Sequence, residues 1–303
     1  MYSYLFFVLT FVFLSVGCTS SEEEASELIP TGNLTPECVE RYSRVLVTRL
    51  VPPRSYQYHH EVEDSASRDD DGNEFGYRIV GGAAVSIAQV PYQVLYGLYC
   101  GGVLVAPEWV LTAAHCKEKE TYVYAGSTSR RETTKYRICA HFVHPMWYSK
   151  TKLHPHDYDY QLVLLERAVP VTAMSRPVAI ASVDEVVPGE MMTISGWGHL
   201  GYKTNKMQDT VHRVRIPVMS WEECRAMPDP GYRNITSRMF CAGYASGAKD
   251  SCQGDSGGPG VIRGKLAGLV SYGIGCAGVQ QPGVYANVPM VRGWIRNVTA
   301  LPL

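Results

Sequence analysis

Asp250-Ser251-Cys252-Gln253-Gly254-Asp255-Ser256-Gly257-Gly258-Pro259 places one serine among three glycines, which free the backbone around it. A serine hydroxyl is a poor nucleophile at neutral pH. It needs a base within hydrogen-bond reach, and the base needs a group that fixes its tautomer and stabilises its charged form. Two other stretches supply such groups. Leu111-Thr112-Ala113-Ala114-His115-Cys116 sets a histidine among apolar and small residues, and Asp159 opens the run Tyr160-Gln161-Leu162-Val163-Leu164-Leu165. Any one of the three would be weak evidence. Together, in this order and with the Gly-Asp-Ser-Gly-Gly-Pro string, they specify an acyl-transfer site.

Outward from these strings, everything beyond Ile79 has one texture. Short apolar runs at 93–99, 102–105, 109–112, 161–165, 192–195 and 266–271 alternate with Gly and Pro, the pattern of an all-β barrel or sandwich. Val291, Trp294, Ile295 and Val298 fall on one face at helical spacing and predict a short C-terminal helix. Upstream, residues 19–77 are polar and patchy, with acidic runs at 22–27 and 61–71 and few clustered aliphatics. Such a stretch buries too little surface to offset its ordering entropy, so it reads as a mostly unstructured pro-segment or, failing that, a linker.

The uncharged apolar run Leu5 to Val16 is too short to cross a bilayer as a helix and reads as the core of a signal peptide, with cleavage after Gly17 or a few residues later. An uncleaved anchor and a lipid anchor on Cys18 are the competing readings. The expected organisation is a signal peptide over 1–17, a pro-segment over 18–78 and a folded domain over 79–303. Nine cysteines behind such a leader point to an oxidising compartment and a secreted, extracellular protein. The net charge of -1 shows no basic excess of the kind that neutralises phosphates or coats anionic membranes, so neither nucleic acid nor membrane is expected as a partner.

From Ile79 onward the chain resembles the chymotrypsin family, of which trypsin is a member. The likeness rests on Arg78-Ile79-Val80-Gly81-Gly82, the His115 and Asp159 stretches, Ser195-Gly196-Trp197-Gly198, the serine string, Ser271-Tyr272-Gly273 and Pro282-Gly283-Val284-Tyr285. The resemblance implies an all-β fold of two antiparallel β-barrels with the active site in the cleft between them. It implies His115 as general base and acid, Asp159 as orienting carboxylate and Ser256 as nucleophile, with the N–H groups of Gly254 and Ser256 as the oxyanion hole. Asp250 would form the floor of the S1 pocket, between walls kept open by Gly273 and Gly283. That implies cleavage after Arg or Lys, since a buried carboxylate leaves an apolar side chain facing an unpaired charge. Cleavage after Arg78 would free the Ile79 ammonium to pair with Asp255. Protein or peptide substrates, protein protease inhibitors and an activating protease are the expected partners, and no cofactor is expected. An inert homologue serving as a binding module is the alternative; it would normally show a broken triad or oxyanion loop, and neither is broken here.

The resemblance also pairs Cys100 with Cys116, Cys224 with Cys241 and Cys252 with Cys276. If Cys18 leaves with the signal peptide, Cys38 and Cys139 remain, either bonded to each other as a tether for the pro-segment or apart, with Cys139 a buried free thiol. Asp157 competes with Asp159 but fits the register less well and is expected to be a solvated loop residue. His154 and His156, separated by one proline, lack a third ligand nearby in sequence; a plain loop is the preferred reading and no metal is assigned. Gln161 and Tyr272 depart from the family pattern and are expected to tune subsite preference, while the small Gly260 has no account. Asn33, Asn234 and Asn297 head glycosylation acceptor triplets for a eukaryotic host.

Overall fold

The computed structural model describes residues 35, 36, 38, 40–43, 82–199, 207–247, 254–276 and 278–303. Strand β1 (Ala83–Ala84) is followed by β2 (Gln93–Tyr96), β3 (Cys100–Ala106), β4 (Trp109–Thr112), β5 (Tyr122–Ala125), β6 (Thr134–Val143) and β7 (Gln161–Leu165). The last six close into an antiparallel barrel in the order β2-β3-β4-β7-β6-β5. β4 and β7 are buried throughout, which is why they read as continuous apolar runs and not as an alternation. The period of two still operates. Val110, Val163 and Leu165 point into the barrel with Val94 and Leu104, whereas Trp109, Leu111, Leu162 and Leu164 point outward into a second cluster.

That second cluster reaches Leu266 and Leu269 of the other half and Ile295 and Val298 near the end of the chain, so it is the joint between the halves. The other half contains β8 (Met191–Gly196), β9 (His212–Pro217), β10 (Met239–Ala242), β11 (Pro259–Ile262), β12 (Lys265–Tyr272) and β13 (Gly283–Asn287), ordered β1-β9-β8-β11-β12-β13-β10. Beyond β9 the sheet meets its own far edge. Val218 bridges Ala242, Met219 N donates to Cys241 O at 2.9 Å, and Gly243 N donates to Pro217 O at 2.9 Å. These bonds turn the sheet into a second barrel around Met192, Ile194, Val214, Ile216 and Tyr285. Two antiparallel barrels are therefore present as expected. Gly260 gains its account here, because a Cβ on it would meet the Met192 sulfur at 2.6 Å; the methionine fills the space where an aliphatic side chain would stand.

Helix α1 (Trp221–Arg225) starts at Ser220, whose hydroxyl accepts from Glu223 N at 3.1 Å while the Glu223 carboxylate accepts from Ser220 N at 3.0 Å. Helix α2 (Arg292–Thr299) lays Ile295 and Val298 on the joint with Trp294 beside them, on the face predicted from spacing. Cys100–Cys116 and Cys224–Cys241 are bonded. Cys276 is disulfide-bonded as well, and its expected partner Cys252 lies outside the described residues.

Cys38 is bonded to Cys139, the first of the two expected arrangements, and Cys139 is not a free thiol. Residues 36, 38 and 40–43 are helical, a feature not anticipated from composition. Cys38 and Tyr42 are buried in the joint cluster on β6 and β4, with the Tyr42 ring 5.4 Å from that of Phe142, and Arg41 pairs with Glu108. The signal run, Asn33, Arg78 and Ile79 lie outside the described residues.

Candidate active site

The Thr112 hydroxyl, at the end of β4, donates to Gly101 O at 2.8 Å, and the chain then winds into the 3-10 turn Ala114–Cys116 that carries His115. The Cys100–Cys116 bond pins that turn to the head of β3. Asp159 precedes β7 at the joint and has no exposure. Its carboxylate accepts three hydrogen bonds: His115 N at 2.9 Å, His115 Nδ1 at 2.8 Å, and the Ser271 hydroxyl from β12 at 2.6 Å. Donation from Nδ1 leaves Nε2 as the acceptor nitrogen of neutral His115.

Burial opposes ionisation of Asp159, but the neighbouring imidazole charge and the donors outweigh it and hold the carboxyl below its ordinary value. Burial likewise opposes protonation of His115, and the Asp159 charge and hydrogen bond overcome it, raising the imidazole pKa. The pair thus favours a carboxylate beside a base that readily takes a proton.

Ser256 reaches the same place from the second barrel. Gly101 N donates to Ser256 O at 2.8 Å, and the sulfur of Cys116 lies 3.6 Å from Ser256 O and 4.0 Å from His115 Nε2, so serine and imidazole flank one atom. The approach is close enough to require glycine. Gly257 has φ +75, and a Cβ there would meet Gly101 O at 2.8 Å and Ala113 N at 2.9 Å. Gly257 N donates to Val270 O and Gly258 N to Asp255 O, both at 2.7 Å. Among the described residues, the N–H groups of Gly254 and Ser256 make no hydrogen bond.

Asp255 is fully buried and accepts from Gly198 N at 2.9 Å. A Cβ on Gly196 or Gly198 would overlap its carboxylate, which accounts for the Ser195-Gly196-Trp197-Gly198 string. Gly273 follows β12 and Gly283 begins β13; Asp250 and Cys252 lie outside the described residues.

Three expectations need correction. Asp157 is buried, not solvated: its carboxylate takes Arg238 Nε and NH2 at 2.8 Å each, the Thr236 hydroxyl at 2.9 Å and Tyr158 N at 3.0 Å. Its side-chain partners Thr236 and Arg238 lie some eighty positions downstream, beyond the reach of local pattern. Gln161 tunes no subsite, because it is sealed inside the first barrel. There its Nε2 donates to Tyr96 Oη at 2.9 Å and His141 Nδ1 at 2.8 Å, while His141 Nε2 donates to Glu120 O at 3.1 Å. His156, expected in a plain loop without further ligands, has its ring 5.9 Å from that of His115 and 4.6 Å from that of Tyr272. Tyr272 does face this cleft wall, stacked 5.0 Å from His154 and donating to Gly231 O at 3.0 Å.

The family model described as Trypsin matches residues 79–295. The chain is 40% identical over 227 residues to "Trypsin" of Simulium vittatum, covering 69% of this chain and 87% of that one. It is 37% identical over 234 residues to "Trypsin 5G1" of Aedes aegypti, covering 74% and 86%. Among solved structures it resembles neuropsin, described as a serine protease expressed in the limbic system of mouse brain, with a TM-score of 0.64, 32% identity, and coverage of 71% of this chain and 97% of that one. With the barrel pair and the His115–Asp159 geometry behind them, these matches show that the chain belongs to the trypsin family and is a trypsin-like serine endopeptidase.

Proposed function

We propose that the protein is a secreted zymogen which, once cut after Arg78, hydrolyses peptide bonds after Arg or Lys. The observation that carries the reading is the set of three donors on the Asp159 carboxylate, which leaves His115 Nε2 as an acceptor beside Ser256. In the proposed reaction His115 takes the Ser256 proton as the oxygen attacks the scissile carbonyl. Asp159 stabilises the resulting imidazolium, which then returns the proton to the leaving amine. Water attacks the acyl-enzyme by the same route in reverse. The N–H groups of Gly254 and Ser256 receive the oxyanion, each such donor being worth roughly 2.7–4 kcal/mol.

Arg/Lys preference rests on Asp250, six positions before the serine, with Gly273 and Gly283 as the walls of the proposed pocket. Activation rests on the Ile79 ammonium turning inward to the buried Asp255. Because Cys38 is bonded to Cys139, the pro-segment would remain as a second chain after cleavage. Secretion is supported by the cysteine pairing and the leading apolar run, and no helix among the described residues is long and apolar enough to cross a membrane. Asn234 and Asn297 are exposed and open to glycosylation.

The test is a panel of peptide substrates assayed before and after cleavage at Arg78. Activity should appear on cleavage, fall by several orders of magnitude in Ser256→Ala, and lose its Arg/Lys preference in Asp250→Ser. Near-normal turnover of Ser256→Ala would remove the triad assignment, and surviving Arg preference in Asp250→Ser would remove the pocket assignment.

A further inference from the structure

Gln161, Tyr96 and His141 are buried together in the first barrel, and the amide sits there at a cost: among the described residues Gln161 Oε1 has no hydrogen-bond partner, which an apolar side chain would avoid. The outlet of the trio is the Tyr96 hydroxyl. It donates to Lys117 O at 2.5 Å, one residue past the turn Ala114–Cys116 that carries His115. It also lies 3.2 Å from His141 Nδ1, so two acceptors compete for one proton. Gln161 decides between them. His141 Nε2 donates to Glu120 O, which leaves Nδ1 a single lone pair, and the Gln161 amide fills that lone pair with one hydrogen while giving its other to Tyr96 Oη. The Tyr96 proton is thereby left to Lys117 O.

What that bond holds is strained. Lys117 has φ +67 and ψ +151, a conformation essentially confined to glycine, and its N–H donates to Ala114 O at 3.0 Å to close the His115 turn. Its side chain is exposed, so the backbone bonds at its two ends are what keep it there. We propose that Gln161 and Tyr96 are positioning residues for the general base: they hold Lys117 in this conformation and so fix the exit of the turn that carries His115. The proposal rests on reading His115 as the base. It adds a second hold to that of Asp159, which grips the ring and the His115 N–H from the other side of the turn.

Tyr96→Phe removes the bond to Lys117 O, and Gln161→Met frees the Tyr96 proton to go to His141 instead. Both are assayed as activated enzyme on a small peptide amide, with active sites counted by complete covalent labelling of Ser256 so that unfolded chain does not dilute the rate. Each should lower kcat by about five- to tenfold with KM within about twofold, the mark of a displaced base and not of lost binding. The midpoint of kcat/KM against pH should fall toward about 6.5, because the Asp159 contact that raises it loosens. In a Lys117→Gly background, where no strain has to be held, Tyr96→Phe should cost kcat less than about twofold. A lower melting temperature with kcat and midpoint unchanged, or an equal loss of kcat in both backgrounds, overturns the proposal. Near-parental turnover in a His115→Ala control would remove the reading of His115 as base, a failure distinct from that of the positioning residues.

Discussion

The Cys38–Cys139 bond joins residues 101 positions apart, and its contribution to stability changes when the chain between them is cut. In the proposed precursor, before any cut, the bond closes a loop that contains Arg78. Loop-closure entropy for a loop of that size is worth about 4.7 kcal/mol, and the nested Cys100–Cys116 loop barely alters a logarithmic term. Replacing both cysteines by serine in an Arg78→Gln precursor should therefore lower stability by up to about 4–5 kcal/mol, or roughly 8–20 °C in melting temperature for a domain of this size. In the cleaved enzyme the bond closes no loop and acts only by holding two chains together. Without it the docked turn has little to hold it. Burying Tyr42 gains about 4–6 kcal/mol, and the partly exposed Arg41–Glu108 pair adds at most about 1 kcal/mol. Ordering the turn costs on the order of 10 kcal/mol at roughly 1–2 kcal/mol per residue. Urea melts of the uncleavable precursor, and native gel filtration after cleavage of the Cys38→Ser/Cys139→Ser form, read the two effects separately. A leading chain that co-elutes with the catalytic domain in the absence of the bond, or an unchanged melt, would refute the reasoning.

Activity should rise with pH as His115 loses its proton, with a midpoint above the ordinary value of about 6.5 because Asp159 stabilises the charged ring. In Asp159→Asn the midpoint of the residual rate should move down, and a pH–rate profile of kcat/KM reads it. His141 acts on stability instead. Burial holds its folded pKa down to about 4, so the stability of its neutral form is fully present above about 6.5 and is lost as pH falls toward 4, by about 3 kcal/mol in all. Urea melts from pH 7 to 4 should show His141→Phe with the shallower decline, and equal slopes would count against the buried network. Asp157→Ala strands Arg238 and should cost about 3 kcal/mol, at the lower end for a broken buried pair because Arg238 is 24% exposed. Its kcat should fall as well, because Asp157 helps to fix Asp159, but far less than in Asp159→Ala, where His115 loses its partner outright.

What the sequence disclosed well were sites where backbone and side chain are constrained together. The glycines around Ser256 are dictated by the approach of Gly257 to Gly101 and Ala113, and those of Ser195-Gly196-Trp197-Gly198 by the Asp255 carboxylate, so each string marks one packed junction. Residues whose meaning lies in a distant partner were opaque. Nothing near Gln161 announces Tyr96 and His141, and nothing near Gly260 announces Met192. Counting cysteines narrowed Cys38 and Cys139 to a pair or a separation, but the choice depends on the docking of Tyr42 against Phe142, which no local signal carries.

The misreading of Asp157 leads furthest, because the two acids of Asp157-Tyr158-Asp159 are not one functional group and one bystander. Asp157 reaches Arg238 and Thr236, Asp159 reaches Ser271, and the Tyr160 hydroxyl donates to Arg238 O and Asn287 O at 2.9 Å each. Every one of those partners belongs to the second half of the chain, so the few residues ahead of β7 are stitched across the joint by buried polar contacts. Apolar packing of Leu162, Leu164 and Leu269 holds the barrels together but tolerates small slides, whereas a carboxylate that must meet a fixed fork of donors does not. Asp159 therefore orients His115 from a position that Asp157 and Tyr160 help to fix. The relative placement of His115 from the first barrel and Ser256 from the second follows from the same set of cross-joint bonds.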